Sequence, residues 1–227
     1  MQYALELLNN LPDTANPVVS IFSGGLDSTI LTYALVEKYG KDNVVALVYN
    51  YNQKHKIELD KAMTTIQKLG IKHKLLDISF LGDINKDFSS LAGDVEKNNN
   101  SSTPSTYIAN RNSILINIAV SFAETIGSNN VFYGAQSHDE AGYWDCSLDF
   151  VNSLNNTFIL NRDHKVKVLA PFMNYWKKDE IIMGSELKVP FSDTWTCYNP
   201  QGDKPCGECG SCIERSKAFK EAGVKDE

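Results

Sequence analysis

The stretch Ser23-Gly24-Gly25-Leu26-Asp27-Ser28 constrains this chain more than any other. A short apolar run over residues 18–22 leads into it. A segment over 28–39 follows, in which Ile30, Leu31, Ala34, Leu35 and Val36 recur at helical spacing. Two glycines between a strand and a helix permit a tight turn and close approach of a ligand to the backbone. Successive N–H groups in such a turn converge on one anion, and the following helix adds its positive end. Ser23, Ser28 and Thr29 supply hydroxyl donors. Asp27 is out of place beside phosphate unless a cation lies between them, and Mg²⁺ is the natural one. The lysine of the common P-loop, GxxxxGK[ST], is missing. The alternative is a plain turn capped by Asp or Ser. The full spacing, set between a clean strand and a clean helix, favours the anion site.

The rest of the chain repeats the alternation. Strands are expected over 17–22, 44–49, 71–78, 130–134 and 166–169. Helices are expected over 28–39, 54–69, 111–126, 147–160, 177–187 and 212–222, with Gly40 and Gly70 as helix terminators. Residues 3–11 read as a short amphipathic helix that covers an edge. The fold class is therefore α/β, a doubly wound parallel sheet, whose ligands bind beyond the carboxyl ends of the strands. Between 82 and 106 the signal fades into the polar tract Asn98-Asn99-Asn100-Ser101-Ser102-Thr103-Pro104, expected to be disordered or a functional lid. Two units are expected: an α/β domain over 1–190 and a small C-terminal segment over 191–227.

A chain of 227 residues with 42% apolar and 22% charged residues has the composition of one globular domain with an ordinary core. No apolar stretch approaches the ~20 residues of a membrane span. The first residues lack a basic region before an apolar core, so no secretory signal is expected. A net charge of −6 argues against a general nucleic-acid binder.

Four of the five cysteines crowd together as Cys197, Cys206, Cys209 and Cys212, while Cys146 stands apart. Clustered thiols fit metal better than a disulfide framework, and they place the chain in a reducing cytoplasm. C-x₂-C spacing lets two thiolates converge on one ion, and four thiolates make a closed tetrahedral zinc site with a structural role. An iron–sulfur cluster is the competing occupant. A lone cysteine such as Cys146 is more often a buried small hydrophobe than a nucleophile.

The loop Ser23-Gly24-Gly25-Leu26-Asp27-Ser28 resembles the signature of the N-type ATP pyrophosphatases, of the adenine nucleotide α-hydrolase-like fold. These enzymes cleave ATP between the α- and β-phosphates and leave AMP on a substrate oxygen. Around the cysteines, the run from Thr194 to Phe219 is similar to the C-terminus of the 7-cyano-7-deazaguanine synthase (QueC) family. Three further stretches match family motifs: the segment over 51–59 with Gln53 and His55, the segment over 106–112 ending in Arg111-Asn112, and the segment over 138–146 with Asp139, Tyr143, Asp145 and Cys146. The resemblance covers about residues 17–222.

It implies ATP-dependent conversion of 7-carboxy-7-deazaguanine and ammonia to the nitrile through adenylated carboxylate and amide intermediates. A related ligase that stops at the amide, or joins the deazaguanine to another amine, is the alternative. By resemblance ATP is held by Phe22, Ser23, Gly24, Gly25, Leu26, Asp27, Ser28, Thr29, Ile30, Leu31 and Thr32. Lys54 and His55 line the same pocket, unless they are a solvated helix start. Asp27, Ser28, Arg111 and Asp139 are the expected catalytic residues; the plainer reading of Arg111 is a surface arginine at a helix start. Asp139 and Asp145 are candidates for the paired N–H edge of the substrate, against a role as caps or turns. Tyr143 and Trp144 stack on its ring or pack in the core. The expected cofactors are ATP, Mg²⁺ and Zn²⁺. Partners are the small-molecule substrate and ammonia, without nucleic acid or membrane, and a homodimer is left open. The family usually has Pro-Gly where this chain has Ala109-Asn110, and Tyr-Pro-Asp-Cys-Arg-Pro where it has Tyr143-Trp144-Asp145-Cys146-Ser147-Leu148. Asn199-Pro200 likewise stands where the family commonly has Gly-Gly. Lost glycine narrows the allowed backbone shapes and lost arginine removes a fixed charge, so these departures bear on the acceptor side.

Overall fold

The computed structural model describes residues 2–53, 55–95, 103–136 and 143–226. Helix α1 (Gln2–Asn10) precedes β1 (Val18–Ile21), α2 (Leu26–Tyr39), β2 (Val44–Asn50), α3 (Ile57–Leu69) and β3 (Lys72–Asp77). A short α4 (Phe80–Asn85) follows, then α5 (Arg111–Thr125), β4 (Asn130–Phe132), α6 (Leu148–Phe158), β5 (Lys167–Leu169), α7 (Lys177–Glu186) and α8 (Gly210–Ala222).

The five strands pair in parallel in the order β3-β2-β1-β4-β5, with Val18 opposite both Val44 and Asn130. The chain builds outward from β1 through β2 and β3, then returns to the other side of β1. That reversal is the topological switch of a doubly wound sheet, and it opens a crevice at the carboxyl ends of β1 and β4.

Period-two alternation sorts the strand side chains between two apolar layers. Val18, Phe22, Val44, Ala46, Val48 and Phe132 pack with α1, α2, α3 and α8. Val19, Leu47, Tyr49, Val131 and Tyr133 pack with α5 and α6. Both faces of β1 and β2 are buried, which is why these strands read as nearly unbroken apolar runs.

The sequence expectations shift at three places. Helix α3 begins at Ile57 rather than at residue 54. Strand β3 lies at a sheet edge with only Leu76 even half-buried, while Ile71 and Ile78 just outside it are in the core. Lys72 and Lys74 on that edge discourage pairing with another strand. Helix α4 was not expected: at six residues it is too short to show a helical period, and of its large apolar residues Leu81 is buried while Phe80 and Ile84 face outward.

The C-terminal residues pack onto the sheet domain. Phe219 of α8 meets Phe191 edge-on at 4.9 Å between centroids. Arg215 binds Asp226 with two hydrogen bonds of 2.7 and 2.8 Å. It also donates to the Thr194 hydroxyl and the Phe191 carbonyl. The Trp195 N–H reaches the carbonyl of Gly24 at 3.1 Å, so the cysteine-bearing segment is fastened directly to the glycine loop.

Candidate active site

The glycine loop leaves β1 at the switch point and closes into α2. Gly24 has φ of +83°, and a Cβ there would lie 2.3 Å from the Glu58 carbonyl oxygen, so only glycine lets the loop seat against α3. From the other side Gly134, just beyond β4, packs its Cα against the loop; a Cβ there would fall 3.1 Å from the Ser28 nitrogen. The two hydroxyls of the motif hold the turn together. Ser23 Oγ and Ser28 Oγ lie 3.0 Å apart, the Gly25 N–H donates to Ser23 Oγ, and Ser28 Oγ–H donates to the Gly25 carbonyl. Gly25 is the N-cap of α2 and offers no side chain to its first-turn N–H groups. An anion at this end meets uncapped donors and the positive end of the helix dipole.

A cation stands beside Asp27 after all, and it belongs to the protein. Lys177 Nζ, on the first turn of α7, binds Asp27 Oδ1 at 2.6 Å. The two residues are 150 positions apart. With its side-chain amide turned to satisfy both neighbours, Gln136 accepts from Lys177 and donates to Glu180 Oε1 at 3.1 Å. Glu180 is fully buried. Lys177 thus reaches the loop from a distant helix and is oriented by a buried carboxamide–carboxylate relay.

Across the crevice, Arg111 opens α5. Its guanidinium lies 5.9 Å from the Tyr51 ring centroid, within cation–π range. Burial opposes its charge, but Tyr51, Tyr198, Glu58 and Asp145 around it hold it protonated, above the ordinary guanidinium value. Glu58, on the first turn of α3, shifts the other way: burial pushes its carboxyl up to about 7, against the pull of Arg111. Asp145 is 2% exposed, and its carboxylate accepts from the Asn112 N–H at 3.3 Å. Burial raises its pKa while Arg111 and Asn112 lower it.

Asn110 adopts φ of +56°, a left-handed shape that asparagine tolerates better than most residues. Its N–H donates to Tyr107 Oη at 3.2 Å, and that oxygen also accepts from Trp144 Nε1 at 2.9 Å. Two positions at which this chain departs from the usual motif, 110 and 144, therefore meet on one tyrosine. The Tyr143 hydroxyl is 2.5 Å from Thr106 Oγ1.

These groups surround a cavity of about 1340 Å³, lined by the glycine loop, Glu58, Arg111, Tyr133, Tyr143 and Lys177 among others. A single small-molecule site takes about 300–1,000 Å³, so there is room for two ligands side by side. Of the expected ATP residues, Phe22, Ser23, Gly25, Leu26, Asp27, Ser28 and His55 line the cavity. Gly24 acts from behind by admitting α3. Thr29, Ile30, Leu31 and Thr32 lie in the buried turn of α2 beneath the loop; Thr32 Oγ1 donates to the Ser28 carbonyl at 2.7 Å. Tyr143 lines the cavity, whereas Asp145 lies under its floor. Trp144 is half-exposed and packs edge-on against Phe150. Lys54 and Asp139 lie outside the described residues. Cys146 is buried in the layer under α5 and also borders the cavity.

Cys197, Cys206, Cys209 and Cys212 bring their sulfurs within 4.8 Å of one another. Cys197 and Cys206 are 3.6 Å apart. Four thiolates at about 2.3 Å from one tetrahedral ion sit at about this separation from each other, whereas a four-iron cluster spreads its thiolates over different irons. Backbone N–H groups of Glu208 and Cys209 point at Cys206 Sγ and draw its thiol down to about 7. The cluster can hold a metal ion, and it stands beside the loop through the Trp195–Gly24 hydrogen bond.

Residues 17–223 match the family model described as queuosine biosynthesis protein QueC. The chain belongs to the QueC family. It is 40% identical over 214 residues to the 7-cyano-7-deazaguanine synthase of Pseudoalteromonas atlantica, covering 92% of this chain and 96% of that relative. Among solved structures it resembles the U34-tRNA thiolase NcsA of Methanococcus maripaludis, with a TM-score of 0.59 at 15% identity over 97% of this chain and 70% of that one. It also resembles the NMN synthetase of Francisella tularensis, with a TM-score of 0.57 at 17% identity over all of this chain and 87% of that one. These two likenesses establish the fold. Among the described residues no helix is long and apolar enough to cross a membrane.

Proposed function

We propose that this protein makes 7-cyano-7-deazaguanine from 7-carboxy-7-deazaguanine, ammonia and ATP. One observation carries the reading: a lysine-free anion loop, completed by the Asp27–Lys177 pair, opens into a cavity with room for both a nucleotide and a second ligand. Family membership supports 7-carboxy-7-deazaguanine as that second ligand.

The substrate carboxylate oxygen attacks the α-phosphorus, and pyrophosphate leaves into the loop of Ser23, Gly25 and Ser28. Lys177 sits where negative charge grows on the departing group, and Asp27 beside it would hold the Mg²⁺ that accompanies ATP, which would supply charge neutralisation at the phosphates. Arg111 is held charged at the facing wall and balances the phosphates from that side. Ammonia then adds to the acyl carbon and AMP leaves with the oxygen, giving the amide. A second ATP adenylates the amide oxygen. Loss of two nitrogen protons and AMP leaves the nitrile. Neither a carboxylate nor an amide loses oxygen readily until it carries such a leaving group.

The four thiolates hold zinc, a closed site with no open position for substrate, and that site braces Trp195 against Gly24. The five cysteines form no disulfide with one another, which suits a reducing compartment such as the cytoplasm.

Mass spectrometry of the products from 7-carboxy-7-deazaguanine, ammonia and ATP tests the proposal. The nitrile, AMP and pyrophosphate are expected. Amide alone moves the protein to the related ligase activity, and ADP with phosphate overturns the assignment.

A further inference from the structure

Glu58, on the first turn of α3, has no task in the chemistry above. It is half-buried and borders the cavity. Its carbonyl is the atom against which Gly24 seats, so its main chain lies directly behind the phosphate loop. Its carboxylate lies in the field of Arg111 across the crevice and itself acts on Tyr51. With its main chain at the loop and its side chain toward Arg111, Glu58 spans the two walls that grip the phosphates. Among the described residues, the cavity's other carboxylates differ. Asp27 is paired with Lys177 at 2.6 Å, and Asp94, Glu208 and Glu214 are exposed. Burial and the Arg111 field are the forces that act on the Glu58 carboxyl, and no hydrogen bond from a described residue is among them.

The groups around it leave Glu58 as the one whose charge changes near neutral pH. Burial holds the Tyr51 hydroxyl protonated, and Arg111 stays charged. Tyr198 and Asp145 act on the same guanidinium. The loop meets α3 with Gly24, which carries no side chain. His55, just ahead of α3, borders the same cavity. The Glu58 carboxyl, pushed up to about 7, is part acid and part base at the pH of a cell. An acceptor matched in this way to the operating pH takes and returns a proton most effectively.

Of the reactants in the proposed chemistry, ammonia alone arrives in the wrong protonation state. In neutral water it is ammonium, which has no lone pair for attack. We infer that Glu58 binds the incoming ammonium and takes one proton from it, releasing ammonia beside the adenylated carboxylate. The inference rests on the function proposed above. A carboxylate holds a compact cation by charge-assisted hydrogen bonds. The proton moves from nitrogen to the Glu58 oxygen, and the freed lone pair forms the C–N bond at the acyl carbon. The C–O bond to AMP breaks, and AMP leaves with its electron pair. The surplus proton on the new amide nitrogen passes to water, and Glu58 returns its own proton to water through the open cavity.

Glu58→Gln keeps the shape of the side chain, removes the proton acceptor and leaves His55 in place. Product formation from 7-carboxy-7-deazaguanine and ATP is followed by mass spectrometry with ammonium, or with hydroxylamine, a nucleophile already neutral at pH 7. With ammonium at pH 7 the variant should form amide and nitrile about 10²–10⁴-fold more slowly than wild type, the range a positioned proton acceptor contributes. The deficit should shrink as pH rises towards 9 and free ammonia accumulates. With hydroxylamine the two proteins should form the hydroxamate at similar rates. ATP–pyrophosphate exchange without any amine should also match, which shows that the variant folds and adenylates. If the variant uses ammonium as well as wild type at pH 7, or is slowed equally with hydroxylamine, or keeps a constant deficit up to pH 9, Glu58 is only a counter-ion of Arg111 and the inference falls alone. If wild type joins no nitrogen to this acceptor, the proposed function fails and this inference with it.

Discussion

Gly24→Ala is the sharpest test of how the loop is held. Gly24 has φ of +83°, and a new Cβ would sit 2.3 Å from the Glu58 carbonyl oxygen and 2.7 Å from the Ala62 nitrogen. Both atoms are α3 backbone, so no side-chain rotation relieves the overlap. A left-handed backbone costs an L-residue about 1–2 kcal/mol, and overpacking adds about 1–3. The sum, about 2–5 kcal/mol, is a large part of the roughly 5–15 kcal/mol that holds a domain folded. At about 2–4 °C per kcal/mol for a chain of this size, the melting temperature should fall by roughly 4–20 °C. Gly70→Ala is the matched control. Its φ is +64°, but the nearest atoms, on the flexible Lys41 side chain, are 4.0 Å from the new Cβ. It should lose only the backbone part, roughly 2–8 °C. Differential scanning calorimetry with and without ATP separates the two. Gly24→Ala should melt lower and lose the stabilisation by ATP, whereas Gly70→Ala should keep that stabilisation. Equal melting temperatures for the two variants would refute the argument that α3 dictates glycine here.

Three further outcomes are expected. Lys177→Met should lower kcat/KM by about 10²–10³-fold, the range for losing one group that stabilises transition-state charge, and should lower the melting temperature as well, because Asp27 and the buried Glu180 lose their cation; unchanged kinetics would show that Lys177 only neutralises Asp27. Glu58 titrates near 7 in the folded chain against 4.5 as its ordinary value. The folded state therefore keeps a proton that the unfolded chain has released, and stability falls as pH rises through that window. Glu58→Gln should match wild type at pH 4.5 and melt higher at pH 8, as read by melting temperature across pH; parallel curves would refute the assignment. Cys209→Ser should lose one equivalent of zinc by elemental analysis and melt lower than wild type, and a chelator should destabilise wild type but not this variant. Cys146→Ser should retain its metal, and iron in the wild-type protein would contradict the zinc reading.

Much of this site is legible without coordinates because its signals are local. The residues from Ser23 to Ser28 carry turn chemistry, hydroxyls and a helix start within six positions, and the cysteine spacing names its own geometry. Lys177 was not legible. It opens a helix that begins with four charged residues, Lys177 to Glu180, and reads as an ordinary solvated helix start; only the return of the chain across the sheet brings it to Asp27. Helix α4 was invisible because it is only six residues long, too short for a periodic signal to stand out. Asn110 could be read only as a departure, whereas the backbone shows it keeping the left-handed shape that glycine supplies more freely.

The central claim is that oxygen leaves the substrate as part of AMP. Supplying 7-carboxy-7-deazaguanine with both carboxylate oxygens as ¹⁸O, together with ammonia and ATP, tests it in one measurement. Mass spectrometry should find one ¹⁸O in each AMP released, two such AMP molecules per nitrile, and no label in pyrophosphate. Unlabelled AMP, with ¹⁸O appearing in water or phosphate, would contradict adenylation of the substrate and with it the role assigned to the loop and Lys177.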